Sequence, residues 1–242
     1  MHAKWASLSL ALACGLTAGS GFAQQLGDDG TFAIGVDRLF GYVSDVQSYD
    51  ITVGGGAATT TTHIEQTNNN FSLLGHVVGV EVAQVPRLSF DAFVASGLTI
   101  GGSIMYDHYS TGSSTNWHDS PDKTSTGAWL FAPRVGFAKM FVPQFGIWPR
   151  AGIMYLHTST DDTTTNTNTG ASTTNTTTNG DLYFTLDANV ILAPVPHFAF
   201  TLGPTYELLL SSSVSYPAGV TNTDSHQKEH AIGLQAGIFA WF

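Results

Sequence analysis

The chain has 242 residues, a formal net charge of −10 and only 11% charged residues, less than half the share usual in soluble globular domains. A hydrophobic fraction of 43% beside so little charge implies surface that water does not wet, and the acidic balance argues against nucleic acid or an anionic partner surface. Beyond the N-terminus no apolar run reaches the ~18 residues of a membrane-spanning helix, so a helical crossing is excluded.

Residues 1–23 read as a secretory signal peptide. Lys4 supplies a short positive start, Trp5 to Leu16 an apolar core, and Gly21 and Ala23 in "SGFAQQ" the small residues that precede a cleavage point. The alternatives are an ordinary N-terminal helix or lipidation at Cys14. The "ALA" before Cys14 is a poor lipidation signal and leaves a very short apolar core. Cys14 is the single cysteine, so the mature chain, residues 24–242, forms no disulfide, and it keeps seven basic residues against 18 acidic ones. Its fold must rest on a hydrogen-bond ladder and on its surroundings.

From Gly30 onward two textures alternate. One is apolar, aromatic and Gly-rich; the other is dominated by Thr, Ser and Asn. Eight strand-like stretches follow in order, near 31–48, 71–94, 97–110, 126–142, 145–158, 181–194, 198–212 and 230–242. Long polar loops are expected at 49–70, 111–125, 159–180 and 213–229, and short turns at "VASG", "VPQF" and "APVPH". The third long loop has almost nothing to bury and is expected to be mobile. Short turns on one side and long loops on the other are the pattern of a transmembrane β-barrel.

The strands repeat with a period of two. Phe184, Leu186, Ala188, Val190 and Leu192 oppose Thr185, Asp187, Asn189 and Ile191; Trp129, Phe131, Pro133 and Val135 oppose Leu130, Ala132 and Arg134. One face is large and apolar, the other small or polar with a rare charge. A soluble barrel would need a wetted exterior, which the small face is too poor in bulk and charge to provide. The export signal supplies a route to a membrane. Tyr42, Tyr106, Trp129, Tyr155, Phe141, Phe145, Phe198 and Phe242 gather near strand ends, as interfacial girdles do.

With its signal segment, dyad-patterned stretches, asymmetric connections and C-terminal "GIFAWF", the chain resembles the small bacterial outer-membrane β-barrel family, of the eight-stranded, porin-like type. The resemblance implies an all-β, antiparallel up-and-down barrel in the outer membrane of a Gram-negative-type envelope, surrounded by lipid and monomeric. It also implies that Phe242, ending an outward-facing apolar row, is the address read by the barrel assembly machinery. Members of this architecture serve as anchors, adhesins, small-solute pores or lipid-modifying enzymes, so the resemblance does not choose among them, and the extracellular partner is unknown.

The inward face carries charge. Alternation points Arg87, Asp91, Arg134, Arg150, Asp187 and Glu207 into a barrel only wide enough for side chains to fill. Unpaired charges there are costly, so the six are expected to form a plugging network. Asp37 and Arg38 are adjacent, which requires a bulge or a different register. Pro133, Pro149 and Pro204 lie inside strands and Pro86 inside the second, where either bulges or breaks must absorb them.

Catalysis is not expected. His157 with Ser159 and Asp161, and His108 with Ser110, lie where strands meet long loops, but Ser is abundant there and spacing alone does not make a triad. Asp161–Asp162 and the stretch Asn116–Asp122 lack the spacing of a Ca²⁺ or Zn²⁺ site, and no cofactor is expected. Two function classes remain: a non-catalytic outer-membrane protein that is structural or surface-interacting through its loops, and a narrow porin for small or apolar solutes. A lipid-modifying barrel enzyme is the lesser alternative.

Overall fold

A computed structural model describes residues 25–53, 60–73, 85–113, 122–165, 169, 171–216 and 227–242; the signal segment lies outside them. Ten strand segments are present: β1 (Phe32–Val53), β2 (Thr60–Leu73), β3 (Arg87–Ala95), β4 (Leu98–Ser113), β5 (Asp122–Phe137), β6 (Lys139–Val142), β7 (Phe145–Thr165), β8 (Ser172–Val195), β9 (Phe198–Ser215) and β10 (Gln227–Trp241). They make eight staves. β2 and β3 share the second, pairing with the upper and lower parts of β1, and β5 and β6 share the fourth. Every pairing is antiparallel, and β10 pairs with β1 to close the ring. The fold is an eight-stranded up-and-down β-barrel. Closure leaves a barrel without sheet edges, which a lipid-exposed backbone requires.

In the second stave β2 ends at Leu73 and β3 starts at Arg87, directly after Pro86; residues 74–84 lie outside the described residues. Pro133 and Pro204 are absorbed without bulges. Phe131 pairs with Tyr155 and Arg134 with Gly152, so the ladder skips the positions around Pro133 and resumes in the same register. Around Pro204, Asp187 pairs with Thr205 and Val190 with Leu202, again in one register. The fourth stave breaks between Phe137 and Lys139 opposite Pro149, which has no N–H to donate. Ala138 turns its own N–H to the Gly97 carbonyl, at 2.7 Å.

The polar segments flanking the long connections are corrected by the structure. The stretches 49–70 and 159–180 are not loops for most of their length: β1 continues to Val53, β2 starts at Thr60, β7 reaches Thr165 and β8 begins at Ser172. Thr is a good strand former, and its hydroxyls pair across the ribbon, Thr163 with Thr174 at 2.9 Å and Thr165 with Ser172 at 3.0 Å. Asp161 accepts from Thr176, and Asp162 from Thr124, each at 2.7 Å. β8 has 24 residues; at ~3.3 Å per residue and ~40° tilt its height is roughly 60 Å, more than twice the ~25 Å apolar band of such barrels.

The exterior alternation is clear in exposure: Phe131 is 48% exposed while its neighbour Leu130 is 2%. Phe32, Ile34, Phe90, Ile100, Ile104, Val135, Ile153, Leu186, Phe200 and Leu234 are all exposed along the same band. An apolar belt of that extent around a closed barrel marks a surface built for lipid.

Candidate functional site: a charge layer across the barrel

The interior is stacked in three layers. Next to the short turns, Phe93, Trp148, Ile191, Phe239 and Trp241 pack with Leu26, which precedes the first strand. Trp148 is the hub: its ring lies 5.9 Å from Phe93 and 5.2 Å from Phe239, and its Nε1–H donates to Thr99 Oγ1 at 3.2 Å. Toward the long connections, Met105, Leu130, Met154, Leu156 and Tyr183 form a second apolar layer. The inward face, which alternation describes as small or polar with a rare charge, is bulky and apolar at both of its ends. The charges lie between them.

The structure brings all six sequence-selected lumen residues into this middle layer, each buried, and adds Asp37 and Arg38. Arg134, at the centre, forks onto Asp91, with Nε donating to Oδ1 at 3.1 Å and Nη2 to Oδ2, while Nη1 donates to Asp37. Planar two-point contacts of this kind are the strongest arginine can make. Arg150 bridges Asp37 at 3.3 Å and Asp187 at 3.4 Å, and its guanidinium lies 5.1 Å from the Trp148 ring centroid. Arg38 and Arg87 converge on Glu207, the latter at 3.6 Å. Thr205 donates to Asp187 at 2.8 Å and accepts from Arg38 at 3.4 Å. The chain's four arginines are all here, and with Asp37, Asp91, Asp187 and Glu207 they make a layer of zero formal charge.

Local backbone makes room for it. Arg38 has φ 60°, a left-handed conformation that L-residues avoid, and sits where the β1–β10 register shifts between Val36 and Phe40. Residues 37–39 of β1 stand opposite the single Gly237 of β10, so the bulge inserts two residues, and both Asp37 and Arg38 are buried inside the barrel. The signal for it was in the sequence: two adjacent opposite charges in an otherwise alternating strand. Across the sheet, Gly101 and Gly152 leave room for the pair Asp91–Arg134. A Cβ on Gly101 would fall 2.4 Å from Asp91 Oδ1, and one on Gly152 2.3 Å from the Pro133 carbonyl. The void left among Asp37, Arg38, Arg87, Arg134, Asp187 and Gln235 is ≈ 10 Å³, about the space of a single water.

The other residues singled out by sequence have separate partners. His157 packs on Trp129, with ring centroids 5.5 Å apart, and Asp161 accepts from Thr176. The backbone N–H of His108 donates to its neighbour Asp107 at 2.9 Å. Among the described residues no cluster of three or more His, Cys, Asp or Glu is placed to hold a metal; residues 116–121 lie outside them. Phe242 is exposed beyond the end of β10, and its backbone exchanges hydrogen bonds with Phe32 at 2.9 and 3.0 Å.

No protein-family model and no curated protein matches the sequence. Among solved structures the chain is similar to the outer membrane protease OmpT of Escherichia coli, at 9% identity over 90% of this chain and 98% of that one, with a TM-score of 0.45. It is likewise similar to the outer membrane protein OprG of Pseudomonas aeruginosa, at 13% identity over 90% and 99%, with a TM-score of 0.45. Ail, the attachment invasion locus protein of Yersinia pestis, aligns at 13% identity over 87% and 99%, with a TM-score of 0.34. By its own architecture, eight antiparallel staves closed on themselves with an apolar belt outside and a packed interior, the chain has the fold of an eight-stranded membrane-type β-barrel.

Proposed function

We propose that the protein is a non-catalytic integral outer-membrane protein whose barrel is a closed scaffold for the polar strands it raises above the membrane. One observation carries this reading: the neutral charge layer, packed between two apolar layers, leaves a void of only ≈ 10 Å³. An ion would have to part buried salt bridges to pass, at several kcal/mol for each charge left unpaired. In this reading the outer face contacts lipid, the chain functions as a monomer, and Phe242 presents the last strand to the assembly machinery after removal of residues 1–23. The test is reconstitution of the mature protein into planar bilayers. A silent bilayer is expected; steady unitary conductance would replace this reading with that of a narrow pore.

A further inference from the structure

The short-turn face holds a cavity of ≈ 390 Å³, within the size range of small-molecule sites. The β6–β7 and β8–β9 turns wall it, and Leu26, Met140, Val142, Ala193, His197 and Trp241 line it. Leu26, Ala193 and Trp241 also belong to the lower apolar layer, so the floor of the cavity is packed core.

The walls are tied together. Ala193 N–H donates to the Gln144 carbonyl at 2.9 Å, and Trp241 N–H to the His197 carbonyl at 3.2 Å. His197 is fixed from two further directions: its backbone is left-handed, φ 64°, and its ring lies 5.6 Å from that of Trp241. Its Nδ1 is 2.9 Å from the Trp241 carbonyl oxygen. A carbonyl oxygen only accepts, so Nδ1 carries the proton, and in the neutral ring Nε2 is an acceptor. The site therefore combines apolar walls with an imidazole acceptor held in one tautomer.

We propose that this cavity binds a small apolar molecule bearing one hydroxyl, an alcohol or a phenol, whose O–H donates to His197 Nε2. The hydrocarbon part lies against Leu26, Met140, Val142 and Trp241. The proposal does not depend on whether the lumen conducts, because the lower apolar layer separates the cavity from the charge layer.

The test is a ¹⁹F NMR titration of 4-fluorophenol against the mature protein in lipid nanodiscs, with empty nanodiscs as reference and fluorobenzene as the probe lacking the hydroxyl. Saturable 4-fluorophenol binding is expected, with fluorobenzene about tenfold weaker because it leaves the imidazole acceptor unpaired. His197→Asn, a residue that tolerates the left-handed backbone, should bring the two probes to equal affinity. Ala193→Leu, which fills the floor, should abolish saturable binding of both. The proposal is overturned by partitioning identical to empty nanodiscs, by a phenol preference that survives His197→Asn, or by unchanged binding to Ala193→Leu.

Discussion

Arg134 sits at the centre of the barrel because two carboxylates meet it there, and its removal leaves both of them buried without it. Arg134→Ala should therefore lower stability by about 3–5 kcal/mol, the usual consequence of breaking a buried pair from one side. Chemical denaturation of the barrel in nanodiscs checks this, and bilayers of the variant should stay silent because the apolar layers on either side remain. Arg38 poses a different question, since its guanidinium pairs with Glu207 while its backbone is strained at φ 60°. Arg38→Gly and Arg38→Ala both lose the pair, but only glycine relaxes the backbone. The glycine variant should be the more stable by about 1 kcal/mol, and equal stability would mean that the bulge relaxes once the side chain is gone.

At the scale of the element, hydrophobic alternation specifies the strands within the membrane, while outside it hydroxyl pairing and backbone ladders continue them. The β7–β8 ribbon keeps one unbroken register from Phe145↔Leu192 to Thr165↔Ser172. Its amides from 159 to 165 and from 172 to 178 should resist hydrogen exchange far longer than those of a mobile loop; exchange within the dead time would refute the extended ribbon. None of the three interior layers includes a residue from the tip. Replacing residues 163–174 by a short Gly-Asn turn should change barrel stability by less than about 0.5 kcal/mol, as surface changes do. The composition of 159–180 pointed to a loop because it has nothing apolar to bury, yet a strand anchored at its base by packed neighbours needs no further burial to propagate. Prolines were ambiguous for a related reason. A missing N–H removes one rung, and whether the strand then bulges, breaks or skips depends on what the opposite strand supplies.

For the whole molecule, the apolar belt outside and the three layers inside are two aspects of one inversion: bulk faces lipid, and the four arginines with their carboxylates are packed in the middle. Phe242 lies outside the packed interior, so its deletion should leave export intact and the folded barrel stable, yet reduce the fraction inserted into the outer membrane. Cell fractionation with a gel-mobility assay for folded barrel reads both quantities, and normal insertion of the truncated chain would count against an assembly role for that residue.

Much of this was legible without coordinates. Period-two alternation, the order of short and long connections and the low charge content determined an all-β barrel with its apolar face outward, because those properties are local and repeat along every strand. The inward direction of Arg87, Asp91, Arg134, Arg150, Asp187 and Glu207 follows from the same alternation. Only the tertiary structure decided which charges meet, since Asp37 reaches Arg134 and Arg150 across 97 and 113 residues of sequence. It also decided the inward turn of Arg38, which rests on a two-residue bulge that alternation cannot locate, and the sealing of the charge layer by Trp148, Phe239, Met154 and their neighbours. Sequence periodicity assigns a side chain to a face; closure of the ring brings eight inward faces to one height, and that height determines which partners a charge can find.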